Sequence, residues 1–444
     1  MDPAKIQQLK DADRKHVWHP FTQMRDYMGE DPLIIERGEG SYLIDIEGKR
    51  YLDGVSSLWV NVHGHRKKEV DDAVKKQIDK IAHSTLLGLG NVPSIQLAQA
   101  LLEVAPKNLT KVFYSDSGST SVEIALKMSF QYWKQKGEGR RTRFITLENA
   151  YHGDTIGSVS VGGMELFHSI FRPLLFESYA IPNFDLEAAR RIFAEHSQEV
   201  AACIVEPLIQ GAAGMRVQAP GFLKAIRELC DQHGVHLICD EVATGFGRTG
   251  RMFAVEHEGV QPDFLCMAKG ISAGYLPLAA TLTTEEVFSA FSGSYTDFKT
   301  FFHGHSYTGN PLACAAALAN LEIFRRDQIL NKLPEKIKFL QQDLQRFSKH
   351  PHVLEVRQVG MMVGIELIQE KDPPAPYPIE ERVAHRVCMA ARNRGALLRP
   401  LGDVLVILPP LSMEEEEIHS LLSALYDSLD EVTLGKNRKS KIDA

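Results

Sequence analysis

Two short segments decide the fold: Val235-His-Leu-Ile-Cys-Asp240-Glu241 and Phe264-Leu-Cys-Met-Ala-Lys269-Gly270. Each contains an apolar run that predicts a buried strand. The first run ends in an acid and the second ends in a lysine. In doubly wound sheets, ligands bind outside the carboxyl ends of the strands. If the two strands are neighbours, a carboxylate and an amine therefore face one crevice.

The surrounding sequence predicts an α/β core. From about residue 94 to residue 320, helical patterns alternate with short apolar runs. This alternation indicates βαβ units and a mostly parallel sheet. The predicted strands are residues 111–114, 144–147, 201–205, 236–239 and 264–267.

Both chain ends predict a smaller α+β domain. Residues 33–53 form a predicted hairpin that turns at Gly48. The later predicted elements are a helix at 331–348, a strand at 361–367, a helix at 379–394 and strands at 396–399 and 404–408. We therefore divide the chain into residues 1–75 (small domain), 76–325 (large domain) and 326–444 (small domain). The basic run at 436–441 is predicted to be a solvated end.

Composition excludes several classes of protein. The 444 residues are 44% hydrophobic and 24% charged, as in ordinary globular proteins. The net charge is −7, and the charged residues are spread along the sequence without a basic stripe, so we expect no nucleic acid partner. The absence of a long apolar run, of a signal peptide and of a CxxC pair predicts a cytoplasmic protein away from membranes. The pairs His63/His65 and His303/His305 lack a third ligand, so we expect no metal.

The acid and the lysine have two interpretations. A lysine that ends an apolar strand is costly to bury as a cation, so its pKa falls and its lone pair can form a Schiff base. Pyridoxal phosphate (PLP) enzymes pair such a lysine with a residue at the pyridine nitrogen of the cofactor. The alternative is a buried salt bridge between Lys269 and Asp240. Spacing alone leaves both interpretations open.

The segment Ser115-Asp-Ser-Gly118-Ser119-Thr120 favours a phosphate-bearing cofactor. It follows a predicted strand and opens a helix, where free N–H groups and the helix dipole attract phosphate. Gly118 permits close approach and Ser119 adds a hydroxyl, although a plain N-cap is the alternative. Tyr151 follows another predicted strand, so it is either a ring that stacks on a cofactor or a core residue.

A glycine pattern at residues 245–250 suggests dinucleotide binding but lacks the required context. Gly245-Phe-Gly247-Arg-Thr-Gly250 is followed by no clear helical stripe. The acid nearest the required distance, Asp263, precedes a strand instead of ending it. We therefore expect no nicotinamide cofactor, and a nucleotide-binding oxidoreductase is the rival from another class.

These motifs resemble the class III aminotransferases of PLP fold type I over about residues 18–410. Residues 239–250 together with Lys269 and Gly270 are highly specific for that class. The resemblance implies PLP, a seven-stranded, mostly parallel sheet between helices, a smaller α+β domain and a homodimer with shared active sites. Residues 16–22, 56–59, 151–155, 310–315 and 399–403 are most similar to the branch that aminates 8-amino-7-oxononanoate in biotin biosynthesis. Another class III transaminase of ω-amino compounds or diamines is the alternative.

The resemblance also implies roles for individual residues. Lys269 would bind PLP and carry the proton, Asp240 would hold the pyridine nitrogen and Tyr151 would stack on the ring. The remaining expected cofactor residues are Gly118, Ser119 and Glu206, with Ser306, and Thr308 nearby, supplied by the partner subunit. The expected substrate residues are Phe21, Trp59, Asp154, Arg248 and Arg399, the last of which would take the carboxylate of the keto acid.

Two positions depart from the pattern of the class. Phe21 stands where many members have Tyr beside the donor site, so S-adenosylmethionine and L-lysine both remain open as amino donors. Ala212, after Gln210 and Gly211, stands where ornithine- and GABA-type relatives have Glu. This difference argues against those substrates.

Overall fold

A seven-stranded sheet organises the structure, a computed structural model that describes residues 1–435 with all side chains except those of residues 166 and 167. In spatial order, the strands are Leu109–Ser115, Ala279–Thr284, Phe264–Met267, His236–Asp240, Val200–Val205, Arg143–Leu147 and Ser178–Ile181. Ala279–Thr284 is antiparallel to both neighbours, and the other neighbours pair in parallel. The predicted mostly parallel sheet is confirmed. The predicted basic run at 436–441 lies outside the described residues.

Helices cover this sheet on both faces, which explains the continuous apolar character of its central strands. Every residue of Val200–Val205 and His236–Asp240 is buried. Along residues 202–205 and 237–239, successive residues belong alternately to two different hydrophobic clusters, one for each face of the sheet. The principal helices of this part are Val92–Val104, Gly118–Gln135, Leu186–His196, Phe222–His233 and Pro311–Arg326.

Both chain ends meet in a second, smaller set of sheets. One contains Ile35–Glu39, Tyr42–Asp45, Arg50–Asp53 and Ala396–Leu397, and the other contains Val353–Val359, Met362–Leu367, Val404–Ile407 and Arg399–Leu401. The helices beside them are Pro3–His16, Ile329–Ser348, Val383–Asn393 and Glu415–Leu434. The strand pairing of Ala396–Leu397 with Arg50–Asp53 joins the two ends of the chain. The domain boundaries at residues 75 and 325 stay a prediction.

Shorter elements complete the description. They are the helices Met24–Gly29, Lys68–Ile78, Ile156–Ser160, Glu165–His168 and Glu285–Ala290, the strand pairs Ile209–Gln210 with Arg216–Val217 and Glu370–Lys371 with Pro374–Ala375, and the helical turn Ser56–Trp59. Across residues 1–435, no helix combines the length and apolar character needed to span a bilayer.

Two predicted elements of the C-terminal part are wrong in detail. The single strand predicted at 396–399 is divided, because the chain changes sheets at Leu398. Pro400 cannot donate a backbone hydrogen bond and lies on an edge strand, where this is tolerated. The helix predicted at 379–394 begins at Val383, because Arg382 adopts a left-handed φ of 48° that separates it from a preceding short turn.

Candidate active site

Asp240 and Lys269 lie at the carboxyl ends of two parallel neighbouring strands. Asp240 ends the strand His236–Asp240, and Lys269 follows the strand Phe264–Met267 by two residues. Both side chains line one cavity of about 430 Å³. This volume lies within the range of about 300–1,000 Å³ that is typical of cofactor and small-molecule sites. Asp240 pairs with His152 and, among the described residues, forms no salt bridge with Lys269.

The amine of Lys269 is prepared for attack on a carbonyl carbon. Its Nζ lies 4.7 Å from the centre of the Trp59 ring. Burial lowers the pKa of Lys269, while the nearby carboxylates of Asp240 and Glu206 act in the opposite direction. The net decrease in pKa raises the fraction of neutral amine, which is the nucleophilic form.

His152 holds the carboxylate of Asp240, and the sequence analysis missed this role. Nδ1 of His152 lies 2.7 Å from Oδ2 of Asp240, and the N–H of Val242 donates to Oδ1 at 3.0 Å. A carboxylate oxygen can only accept in this contact, which requires the tautomer of His152 with the proton on Nδ1. His152 follows the strand Arg143–Leu147 of the same sheet. The rule that strand ends meet at one edge was therefore a usable signal for this contact.

Glu206 is a second buried acid beside Asp240. Its carboxyl oxygens accept hydrogen bonds from the N–H of Tyr151 at 3.2 Å and of Gly211 at 3.0 Å. Burial raises the pKa of Glu206 to about 7, His152 lowers it and Asp240 raises it further. Near neutral pH this side chain can therefore either carry or release a proton.

The start of the helix Gly118–Gln135 forms a cup with free N–H groups. The hydroxyl of Ser117 caps the helix by accepting from the N–H of Thr120 at 3.3 Å. The N–H groups of Gly118 and Ser119 precede the first intrahelical donor, so they remain for a ligand. Both residues line the cavity. The plain N-cap and the phosphate interpretation are thus compatible, because the cap is a different residue.

Close contacts explain the glycines around this cup. A Cβ at Gly118 would lie 2.6 Å from Val242, which follows Asp240 by two residues. A Cβ at Gly153 would lie 1.9 Å from Oγ of Ser119, and Gly153 has a φ of 114°. The N–H of Asp154 donates to the same Oγ at 3.1 Å, which leaves the hydroxyl proton of Ser119 available to a ligand.

Tyr151 lines the cavity and is oriented by Asp154. Its hydroxyl donates to Oδ2 of Asp154 at 2.7 Å. Burial raises the pKa of Tyr151, and the hydrogen bond to Asp154 acts in the same direction, so the phenol stays protonated. Asp154 is exposed and lies outside the lining of the cavity. Its predicted contact with substrate stays a prediction.

A second cavity of about 550 Å³ contains two of the predicted substrate residues, Phe21 and Arg399. Nη2 of Arg399 donates to the backbone oxygen of Phe21 at 3.0 Å. Ser57 and Leu58 line this cavity, whereas the next residue, Trp59, lines the cavity of Lys269. One short stretch of chain therefore borders both cavities.

Arg248 lies outside both cavities. Its guanidinium, 1% exposed, donates to the backbone oxygens of Pro409 at 2.6 Å and Asn61 at 2.7 Å. Burial lowers the pKa of Arg248 to about 9, and Asp53 opposes this effect. Residues 242–249 form consecutive turns, and no helix begins there. The structure places Arg248 between segments of the backbone, and its predicted contact with substrate stays a prediction.

Ser306 and Thr308 do not line the cavity of Lys269 in their own subunit. Ser306 is exposed, whereas Thr308 is buried and donates to the backbone oxygen of Tyr114 at 3.4 Å. Of the two side chains, only that of Ser306 is exposed at the surface of the described chain. The predicted role of both residues stays a prediction.

The fold and the site define a class of enzyme that binds PLP between an acid and a lysine at adjacent strand ends. Residues 26–429 match the profile of the family Aminotransferase class-III, and the chain belongs to this family. It is therefore a PLP-dependent aminotransferase, and a nucleotide-binding oxidoreductase is excluded. A solved relative, a PLP-bound amine transaminase from an uncultivated Pseudomonas species, is 35% identical with a TM-score of 0.88 over 94% of this chain and 99% of its own.

More similar relatives share one name. The adenosylmethionine-8-amino-7-oxononanoate aminotransferase of Nitratidesulfovibrio vulgaris is 54% identical over 97% of this chain and 83% of its own length. Its counterpart in Geobacter sulfurreducens is 52% identical over 98% of this chain and 100% of its own. The crystal structure of the Methanocaldococcus jannaschii enzyme of that name is 47% identical, with a TM-score of 0.95 over 96% of this chain and 99% of its own.

Proposed function

We propose that this aminotransferase converts 8-amino-7-oxononanoate to 7,8-diaminononanoate in biotin biosynthesis, with S-adenosylmethionine or L-lysine as the amino donor. The observation that carries this proposal is the identity of about half of all residues, over nearly the whole chain, with relatives named for this reaction. The structural requirement is an active amine and an acid in one cavity, which Lys269 and Asp240 satisfy.

The residues of the cavity fit PLP. The N–H groups of Gly118 and Ser119 would hold the phosphate, and Tyr151 would lie against the ring. Asp240, fixed by His152, would hold the pyridine nitrogen. Bound PLP supplies a carbon that accepts amines and a ring that accepts electrons from the substrate carbon.

The side chains of the protein would hold and transfer protons. Asp240, oriented by its contact with His152, would accept a hydrogen bond from the protonated pyridine nitrogen of bound PLP. With an amino substrate in the site, the Nζ of Lys269 would act as a neutral amine beside the reacting carbon. It would take the proton from the donor in the first half reaction and return one to the acceptor in the second.

The second cavity is suited to the carboxylate of a long keto acid. Within residues 1–435, Arg399 forms no salt bridge with an acidic side chain, and its hydrogen bond goes to the backbone oxygen of Phe21. Its guanidinium can therefore donate hydrogen bonds to the carboxylate of a substrate whose carbonyl group lies near Lys269. Trp59 and Leu58 would contact the hydrocarbon chain of the substrate between its carbonyl group and its carboxylate.

We further propose a homodimer in the cytoplasm. A third cavity lies between residues 86–98 and the loop that carries Ser306, and large apolar side chains are exposed around it. They are Leu87, Leu89, Val92, Ile95, Phe302 and Tyr307. An apolar surface of this kind is typical of a protein interface. In the dimer, the hydroxyl of Ser306 would reach the phosphate site of the partner subunit.

A donor comparison tests the proposed reaction. Purified PLP-loaded enzyme is incubated with 8-amino-7-oxononanoate and either S-adenosylmethionine or L-lysine, and 7,8-diaminononanoate is measured by mass spectrometry. Product with one donor supports the proposal and identifies that donor. No product with either donor would refute it.

The alternative is a transaminase of ω-amino compounds or diamines. Solved ω-transaminases share the fold, with a TM-score of 0.92 at 33% identity for one from Thermomicrobium roseum. A screen with simple ω-amines under the same conditions separates the two functions. Turnover of these amines without turnover of 8-amino-7-oxononanoate would favour the alternative.

A further inference from the structure

Four consecutive residues, none of them glycine, adopt a left-handed backbone beside the cavity of Lys269. They are Ser56, Ser57, Leu58 and Trp59, with φ values of 49°, 41°, 64° and 73°. A left-handed helix places each Cβ too close to the following carbonyl oxygen, so residues other than glycine normally adopt it singly. Such a run persists only if its surroundings hold it, and strained segments of this kind cluster at active sites.

The carboxylate of Asp53 is one such support. It is fully buried, and its Oδ1 accepts from the N–H of Ser57 at 2.8 Å. Its Oδ2 accepts from the hydroxyl of Ser57 at 2.8 Å and lies 2.9 Å from Nε2 of His65. Hydrogen bonds to a charged acceptor are stronger than those between neutral groups. Asp53 therefore holds the second residue of the left-handed turn at two atoms.

The two ends of the turn are fastened to other parts of the chain. The hydroxyl of Ser56 donates to the backbone oxygen of Leu408 at 2.5 Å. After the turn, the backbone oxygen of Asn61 accepts from Arg248 at 2.7 Å. With both ends fixed, the conformation of the middle of the turn determines the direction of the Trp59 side chain.

The Trp59 ring lies beside the amine of Lys269 and packs against the backbone at Gly211. Nζ of Lys269 lies 4.7 Å from the ring centre, and a Cβ on Gly211 would lie 3.0 Å from the ring atom Cζ3. Leu58, the preceding residue, lines the second cavity, which contains Arg399. The left-handed turn thus forms a wall shared by both cavities.

We propose that Asp53 is a positioning residue that keeps Trp59 against Lys269 by holding the left-handed turn, and so shapes the site of the amino acceptor. This inference rests on the proposed function, since it takes the acceptor to extend from Lys269 to Arg399. Asp53 itself lines neither cavity and acts through Ser57.

The chain offers a matched control and a rescue. In Asp53→Asn, one acceptor oxygen is replaced by a donor group that cannot accept from Ser57 or His65. Asp45→Asn is the control, because Asp45 is also buried and accepts from Glu47, Lys49 and Tyr51, away from both cavities. In the double variant Asp53→Asn/Ser57→Gly, glycine removes the steric cost of the left-handed conformation at residue 57, which is the residue that the carboxylate holds.

Two measurements test this proposal: the fluorescence of Trp59 and the KM for the keto acid. The emission of Trp59 is recorded in a Trp18→Phe/Trp133→Phe background, with and without PLP, together with quenching by acrylamide. We expect Asp53→Asn to shift the emission to longer wavelength and to increase quenching, whereas Asp45→Asn changes neither. The KM for the keto acid should rise about tenfold or more with a smaller change in kcat, because a displaced wall weakens binding in the ground and transition states alike. The glycine rescue should restore most of both properties.

Several outcomes would overturn the inference. One is an Asp53→Asn enzyme that matches Asp45→Asn in emission and KM, and another is a failure of glycine at residue 57 to restore them. If Asp53→Asn does not fold, Ser57→Ala, which removes one hydrogen bond, decides by the same two measurements. The emission of Trp59 requires no turnover, so an enzyme that is inactive on 8-amino-7-oxononanoate would refute the proposed function and still leave the role of Asp53 testable.

Discussion

In the variant His152→Leu, the carboxylate of Asp240 loses its hydrogen bond from Nδ1, at 2.7 Å, and keeps the one from the N–H of Val242, at 3.0 Å. The two side chains are 3% and 4% exposed, so water cannot replace the lost donor. A hydrogen bond to a charged group contributes about 1.5–3 kcal/mol. If the transition state loses this amount of stabilisation because Asp240 holds the protonated pyridine nitrogen less well, the rate of amino transfer falls about 10- to 100-fold.

The assay is a single half reaction. PLP-loaded enzyme is mixed rapidly with the amino donor, and the loss of the visible absorbance of the bound cofactor gives the rate constant. His152→Asn is the matched control, because its amide nitrogen can occupy nearly the position of Nδ1 and should preserve most of the rate. Equal rates in the Leu variant and the wild type, or equal losses in the Leu and Asn variants, would refute this account of His152.

Three further predictions concern the cup, the buried acids and Arg248. In Gly153→Ala, the new Cβ would collide with Ser119, so the apoenzyme should bind PLP at least about tenfold more weakly in an absorbance titration. The control is Gly137→Ala, which also has a positive φ, of 84°, but has open space around it, and it should bind PLP normally. Burial raises the pKa of both Glu206 and Glu241 to about 7 from 4.5, so the folded apoenzyme binds protons that the unfolded chain has released. Stability should therefore fall as the pH rises from about 5 to 7, and Glu241→Gln should flatten this dependence in urea unfolding; an unchanged slope would contradict it. Arg248→Met leaves two backbone oxygens without donors, so the free energy of unfolding should fall by about 2–5 kcal/mol; lost activity at unchanged stability would instead support a substrate contact.

The sequence predicted the centre of the sheet because its strands are continuous apolar runs. The five predicted strands of the large domain are all present, and the Asp240 and Lys269 strands are neighbours as expected. Two strands of the seven-stranded sheet were not predicted. Ser178–Ile181 is a short edge strand with one buried residue, and Ala279–Thr284 is rich in small and polar residues although it is almost wholly buried.

The helix Pro3–His16 was also missed, because a mostly polar helix with one buried residue carries no apolar stripe. The division of residues 396–399 between two sheets depends on contacts with residues 50–53 and 404–407, far away in the sequence. Local patterns cannot reveal a change of sheet of this kind.

The site was only partly accessible to sequence reasoning. The sequence correctly predicted that Asp240 and Lys269 lie close together, because the carboxyl ends of parallel strands meet at one edge of the sheet. The contact between His152 and Asp240 spans 88 positions, and the support of Ser57 by Asp53 depends on a left-handed backbone that no residue type in the segment suggests. Arg248 stands in a motif specific for the class, yet its two hydrogen bonds to backbone oxygens appear only in three dimensions.

The most direct test of the central claim is to locate the covalent attachment of PLP. The holoenzyme is reduced with borohydride and digested, and the peptides are mapped by mass spectrometry. The account predicts that the cofactor mass lies on Lys269 alone, and that Asp240→Ala retains this attachment while losing amino transfer. Attachment to a different lysine, or full amino transfer by Lys269→Ala, would contradict it.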